Sequence, residues 1–401
     1  MTELPLIFLL AGEPSGDALG GRLMAALSEL TGGRIRFAGV GGERMTEQGL
    51  ESLFPMEELS LMGLSEILPH LPALLRRIRE IAAAVDAAAP QALVTIDSPD
   101  FTRRVARRVK TRSVPRIHYV APTVWAWRPW RAKGFAQDFS HMLALLPFEP
   151  PWFEKAGLPC RFVGHPVLES GAGTGDGKAF RVRHGIEPGA IVLCVLPGSR
   201  RAEVTRLIGD FGAAVGILSG RRPGLRIVLP TVESLAPLVE DAVAAWPGAP
   251  IVLHGPAEKY DAMAASDIAL AASGTVALEL ALARVPTVIA YRVAPLTHWL
   301  VRRLVRVRFA NLVNLMEDQE IVPELIQSDC RPGRLAEELE RLVGPAGARQ
   351  VELAAPVLKR LGAGGPAPSR RAARAILDII GADGTSTDEE SAAHQNDEGK
   401  A

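Results

Sequence analysis

Short apolar runs of strand length alternate along this chain with longer stretches in which apolar side chains recur every three or four residues. In the first half the runs are Leu6 to Leu10, Ile35 to Val40, Ala92 to Ile96, Arg116 to Val120 and His141 to Leu145. In the second half they are Ile191 to Leu196, Arg226 to Leu229, Ile251 to Leu253, Ile268 to Ala271 and Thr287 to Tyr291. Strand-length runs separated by amphipathic helices predict parallel sheets covered by helices on both faces. The pattern runs twice, so it predicts two doubly wound α/β domains facing a cleft. Their boundary is expected in the glycine-rich, apolar-poor stretch Glu169 to Gly177, read as a flexible connector. The expected divisions are an N-terminal domain over 1–169, a linker over 170–178 and a C-terminal domain over 179–345. Helices over 346–381 follow, with a return onto the first domain as one arrangement. The small, polar, acidic stretch 382–401 is expected to be disordered.

Composition narrows the function without naming it. With 401 residues, 48% of them hydrophobic and 22% charged, the chain is long enough for two cores. Lys+Arg and Asp+Glu each number 45, so no global field marks a nucleic-acid binder and none is expected as a partner. Cys160, Cys194 and Cys330 lie far apart, and no histidine pair has the i, i+4 spacing of a zinc motif. Neither a metal nor another cofactor is expected. Met1 to Pro5 lacks the basic start of a secretory signal. No apolar run approaches the about 18 residues that a spanning helix needs, so a cytoplasmic, at most peripheral, protein is expected.

Two turns stand where a first strand meets its helix: Ala11-Gly12-Glu13-Pro14-Ser15-Gly16-Asp17 and Leu196-Pro197-Gly198-Ser199-Arg200. In that context backbone N–H groups and the positive end of a helix can hold an anion. The second turn is joined by Ala272-Ser273-Gly274-Thr275-Val276-Ala277-Leu278-Glu279, where small residues allow close approach of a pyrophosphate. Arg200 offers a cationic fork, and Glu279 a bidentate acceptor for ribose hydroxyls. Tight turns with a surface glutamate are the alternative for this region.

In the first half, Ile96-Asp97-Ser98-Pro99-Asp100-Phe101 leads into a basic helix. A carboxylate there suits proton abstraction from a hydroxyl or an N-cap, and spacing leaves both open. From Phe101 to Gln137 there is no acidic residue, and Trp125, Trp127 and Trp130 fall inside this stretch. That side of the domain should be electropositive and suit a phosphorylated partner. Leu59 to Leu75 carries more large apolar side chains than one core-facing stripe requires, among them Leu61, Leu64, Leu68, Leu71 and Leu75. Basic residues follow it, and Trp299 to Phe309 adds Arg302 and Arg303. A lipid-facing surface and an ordinary buried helix both fit.

Several stretches occur together in a fixed order: Ala11 to Asp17, Ser98 to Phe101, His118 to Pro122 with Val124 to Arg128, and Leu146 to Glu149. Val163 to Pro166, Leu196 to Arg200, Ala272 to Thr275 and Asn311 to Leu315 complete the set. Together they resemble the lipid-A-disaccharide synthases, glycosyltransferases with two Rossmann-like domains facing a central cleft, the GT-B type. The resemblance implies transfer of diacylglucosamine from UDP-2,3-diacylglucosamine to the 6-hydroxyl of 2,3-diacylglucosamine 1-phosphate, with inversion and release of UDP. It implies Asp100 as the base. Gly198, Ser199, Arg200, Ser273, Gly274, Thr275 and Glu279 fall where the family binds UDP, and Asn314 near the donor. Glu13, Ser15, Gly16, Asp17 and His118 would line the first domain's side of the cleft. A monomer or homodimer on the cytoplasmic face of the inner membrane of a Gram-negative bacterium is the implied setting. One departure is Met316-Glu317-Asp318-Gln319, where family members often have an Ala-Gly pair. A UDP-sugar epimerase of the same architecture would not need the apolar segment at Leu59 to Leu75, and a non-catalytic nucleotide-sugar binder would be indifferent to loss of Asp100.

Overall fold

The computed structural model describes residues 4–59, 64–272, 274–293, 303–305 and 307–381, without the side chains of 64–71. The first sheet contains β1 (Leu6–Ala11), β2 (Arg36–Val40), β3 (Ala92–Ile96), β4 (Arg116–Tyr119), β5 (His141–Ala144) and β6 (Cys160–Phe162). The second contains β7 (Val192–Leu196), β8 (Arg226–Thr231), β9 (Ile251–His254), β10 (Ile268–Ala272), β11 (Thr287–Tyr291) and β12 (Glu324–Ile326). Every pairing is parallel, in the orders β2-β1-β3-β4-β5-β6 and β12-β11-β10-β7-β8-β9. Ten strands coincide with the apolar runs to within two residues at each end. The exceptions, β6 and β12, are edge strands of three residues, too short to show a period.

Among the described residues, 4–124, 130–164 and 368–381 form one compact unit, and 125–129 with 165–367 form the other. Helix Pro345–Arg360 lies in the second unit. Helix Pro368–Ile380 packs on helix Pro14–Leu30 in the first. The expected linker is bound into the second unit rather than free. Asp176 N donates to Asp261 Oδ1 at 2.8 Å, and a Cβ on Gly175 would fall 2.1 Å from Tyr260 O. The glycine there serves close backbone approach, not flexibility.

Alternation along β1 shows how the first sheet is buried. Ile7, Leu9 and Ala11 face Leu23 and Leu27 of helix Pro14–Leu30 and Ala372 and Ile376 of helix Pro368–Ile380. Phe8 and Leu10 belong to the opposite face, with Ile78, Ile81 and Val85. Each of these Leu, Ile, Val and Phe side chains fully removed from water contributes about 1.5–3 kcal/mol. In the second unit Leu193 and Val195 of β7 pack with Leu207 and Phe211 of helix Arg201–Arg221 and Leu335 and Leu339 of helix Pro332–Leu342.

The strand orders fix where ligands can sit. In each sheet the chain adds strands to one side of its first strand and then crosses to the other, leaving a switch point between β1 and β3 and another between β7 and β10. The helices that follow those two strands depart to opposite faces, and a crevice opens at their carboxyl ends.

Candidate functional site

At the β7/β10 switch point the second unit has a cavity of about 630 Å³. The chain leaves β7 through Gly198, whose φ of 123° is a region that side chains rarely adopt. It then enters helix Arg201–Arg221, of 21 residues, with Arg200 as its extended N-cap. This brings the positive end of a long helix and the Gly198–Arg200 backbone to the cavity wall. Arg200 is largely exposed and makes a 3.3 Å ion pair with Glu203, leaving much of its guanidinium open to an anion. Across the cavity, Gly274 with a φ of 143° and Thr275 precede helix Val276–Leu282.

Glu279 projects from the first turn of that helix into the same cavity and is 9% exposed. Its two oxygens accept from Lys259 Nζ at 2.7 Å and from the Tyr260 hydroxyl at 3.0 Å. The cavity thus gathers Gly198, Ser199, Arg200, Gly274, Thr275 and Glu279 as expected from the sequence. Ser273 lies outside the described residues. Asn314 does not line the cavity: it is fully buried, donates to Val322 O and Glu324 Oε1, and accepts from the amides of Ile321 and Val322. Its amide is used in holding the chain into β12. Lys259 and Thr231 line the cavity and were missed by sequence reasoning. The signal was available in principle, because the carboxyl ends of β8 and β9 open on the same edge of the sheet as those of β7 and β10.

The β1/β3 switch point of the first unit gathers a different chemistry. β3 is followed by two successive left-handed residues, Asp97 at φ 57° and Ser98 at φ 42°, neither of them glycine. Each costs about 1–3 kcal/mol and persists only where surrounding structure holds it. Here Asp97 N donates to Tyr119 O of β4 at 3.0 Å, and Ser98 N donates to Asp97 Oδ1 at 2.8 Å. Ser15 Oγ donates to Asp97 Oδ2 at 3.0 Å, and Ser98 Oγ to Glu13 Oε1 at 2.9 Å. Gly16 is buried against β3, its absent Cβ only 3.2 Å from Ile96 O. Asp100, in the first turn of helix Pro99–Ala106, has a 77% exposed side chain and is ion-paired with Arg131. Ser98 holds the cap position and makes no capping bond.

Two of the residues expected to line the first unit's side of the cleft, Asp17 and His118, have buried side chains. Asp17 is 5% exposed, and its carboxylate accepts the amides of Gly42, Arg44 and Met45, so it anchors the loop after β2. His118 is fully buried in β4 beside Phe139, with Nδ1 2.7 Å from Thr95 Oγ1 and no partner for Nε2 among the described residues. Both stand next to motif residues in sequence, but the strand and helix periods turn them inward.

Burial pushes the His118 ring down to about 3 and that of His165 to about 4. An unfolded chain takes up these protons near pH 6.5, so stability present at neutral pH is lost as pH falls toward about 4. The slope is up to about 1.4 kcal/mol per pH unit for each ring. Urea midpoints at pH 7 and 5.5 should differ, and His118→Gln should narrow the gap; equal midpoints in the parent would show that both rings protonate in place.

Of the residues expected to face lipid, Leu61 and Arg302 lie outside the described residues, as do the side chains of Leu64, Leu68 and Leu71. Leu75 packs partly buried against the Phe8–Leu10 face, and Arg303 is exposed. Among the described residues no helix is long and apolar enough to cross a membrane. In the basic stretch Trp130 is 65% exposed, and the Arg128 guanidinium lies 4.2 Å from the Trp127 ring.

The family model described as lipid-A-disaccharide synthetase matches residues 7–353. The lipid-A-disaccharide synthase of Rhodospirillum centenum is 60% identical over 379 residues, covering 94% of each chain. That of Paramagnetospirillum magneticum is 52% identical over 381 residues, covering 94% of this chain and 97% of its own. Among solved structures, the S. aureus MnaA-UDP co-structure superposes with a TM-score of 0.64 at 12% identity, covering 94% of this chain and 97% of the other. The glycotransferase of kitacinnamycin does so with a TM-score of 0.62 at 17% identity, covering 94% and 99%. These two likenesses establish the fold. The first two establish more: this chain belongs to the lipid-A-disaccharide synthase family, and is a UDP-sugar glycosyltransferase of lipid A biosynthesis with the two α/β units of the GT-B type.

Proposed function

We propose that the enzyme transfers diacylglucosamine from UDP-2,3-diacylglucosamine to the 6-hydroxyl of 2,3-diacylglucosamine 1-phosphate, with inversion at the anomeric carbon. The observation that carries this reading is the cavity at the β7/β10 switch point, where an anion-holding turn and a fixed carboxylate stand together. The diphosphate would lie on Gly198–Arg200 and the positive end of helix Arg201–Arg221. Thr275 and Gly274 would meet it from the other side, and Glu279 would accept the ribose hydroxyls. That the fold neighbour MnaA was solved with UDP supports a uridine nucleotide here.

Direct displacement forms the bond between the acceptor O6 and the anomeric carbon while the bond to the diphosphate breaks, its electron pair leaving with UDP. The hydroxyl proton goes to a carboxylate. Arg200 and the helix end offset the charge that develops on the leaving group. For the base we favour Asp97 over Asp100, the residue implied by the family resemblance. Asp97 stands at the switch point, aimed by Ser15 and its own strained turn, whereas Asp100 is exposed and engaged by Arg131.

Purified enzyme given both substrates should form the β-linked disaccharide 1-phosphate and UDP in equal amounts. Acceptor-independent rearrangement of the donor sugar would overturn the proposal in favour of an epimerase. Because both substrates carry acyl chains, we place the enzyme on the cytoplasmic face of the inner membrane, through the segment around Leu64, Leu68 and Leu71. Replacing these three by serine should lower sedimentation with anionic liposomes severalfold, and unchanged sedimentation would remove that attachment.

A further inference from the structure

The second unit's cavity carries an electrostatic conflict. On the reading above it holds an anionic diphosphate, yet Glu203, Glu233 and Glu279 all line it. Glu279 is the most buried of the three. A buried carboxylate near an anion is costly unless a cation and hydrogen-bond donors hold it. Lys259 and Tyr260, the first two residues of helix Lys259–Ala265, supply both, one donor to each carboxylate oxygen. Two donors on two oxygens fix the rotation of the carboxylate about its last bond, which a single donor cannot do. The lone pairs that remain are held in one orientation.

Tyr260 is itself immobilised. Its ring lies 3.4 Å from where a Cβ on Gly171 would stand, and its carbonyl presses on Gly175. The glycines of the stretch 170–178 thereby leave room for the residue that orients Glu279.

We propose that Lys259 and Tyr260 are positioning residues that set Glu279 for bidentate recognition of ribose, so that preference for a ribonucleotide over its 2′-deoxy analogue resides in this clamp. The inference rests on the reading of the cavity as the UDP site. A carboxylate free to rotate gains little from a second hydroxyl, because ordering it offsets the added hydrogen bond. One held in place loses a charge-assisted bond when the 2′-hydroxyl is absent.

The test is the ratio of dissociation constants for UDP and 2′-deoxyuridine diphosphate, measured by titration calorimetry on the full chain. The parent should prefer UDP at least about tenfold. Glu279→Gln should bring the ratio close to unity. Lys259→Met and Tyr260→Phe should each lower it at least about threefold, with Lys259→Arg recovering most of the loss. A purely structural role would weaken both nucleotides together and leave the ratio intact. If Glu279→Gln abolishes the preference while Lys259→Met and Tyr260→Phe keep it, the clamp is wrong. If the parent shows no preference, or Glu279→Gln retains it, the ribose contact itself is wrong. Tyr260→Phe, which removes one oxygen atom, decides the matter should Lys259→Met fail to fold.

Discussion

Asp97→Asn is expected to lower disaccharide formation by about 10²–10⁴-fold, the usual contribution of a positioned general base. Affinity for UDP should stay within about twofold of the parent, because the substitution lies in the first unit and the proposed nucleotide cavity is lined wholly by second-unit residues. Asparagine keeps the shape of the side chain and can still accept one of the bonds from Ser15 Oγ and Ser98 N. What it lacks is a carboxylate to receive the proton. Asp100→Asn removes the charge paired with Arg131 at a 77% exposed position and should change the rate by less than about tenfold. Steady-state kcat for both variants, with UDP titration as the control, separates the two acids. An inactive Asp100→Asn beside an active Asp97→Asn would return the base to Asp100.

Gly198→Ala should weaken UDP binding by about 10–100-fold, since a displacement of about 1 Å in a positioning element can cost two orders of magnitude. Alanine at a φ of 123° carries backbone strain of about 1–3 kcal/mol. Its Cβ would also fall 2.8 Å from both the Cβ and an Oε atom of Glu203. The Cβ of Glu203 cannot swing aside, so the turn itself must shift and carry the Ser199 and Arg200 amides with it. Melting should drop by about 2–4 °C for each kcal/mol of strain that remains. Gly209→Ala, inside helix Arg201–Arg221 with open space around it, is the matched control and should be neutral or stabilising. Calorimetric titration with UDP reads the effect; parent-like affinity in Gly198→Ala would remove this turn from the anion site.

The features readable in the sequence are those that repeat. β1, β3 and β7 announce themselves because both their faces are covered, making them continuous apolar runs, and Gly198 and Gly274 mark turns that need unusual backbone. Choosing between Asp97 and Asp100 was beyond the sequence. The preference proposed above for Asp97 rests on a pair of left-handed non-glycine residues, and residue type does not disclose that conformation. Asp17, His118 and Asn314 carry functional-looking chemistry that the fold spends on its own loops and core, which only burial and partners reveal. Lys259 sits outside every motif and reaches the cavity because β9 lies next to β8 in the sheet.

Helix Pro368–Ile380 has a bearing on how the chain is made. Ala372, Ala373, Ile376 and Leu377 belong to the same buried cluster as Ile7, Leu9 and Leu27. Part of one layer of the first unit therefore comes from the far end of the sequence, with residues 165–367 inserted between. On the ribosome, where chains emerge at about 5–20 residues per second, β1 to β6 would be complete well before this helix is synthesised. For that interval the sheet covers helix Pro14–Leu30 but the contacts made by Ala372, Ala373, Ile376 and Leu377 are missing, whereas the second unit, residues 125–129 apart, is encoded without interruption from 165 to 367. The unit that begins first is finished last, and a chaperone able to stand in for those contacts would act on the N-terminal half of the nascent chain.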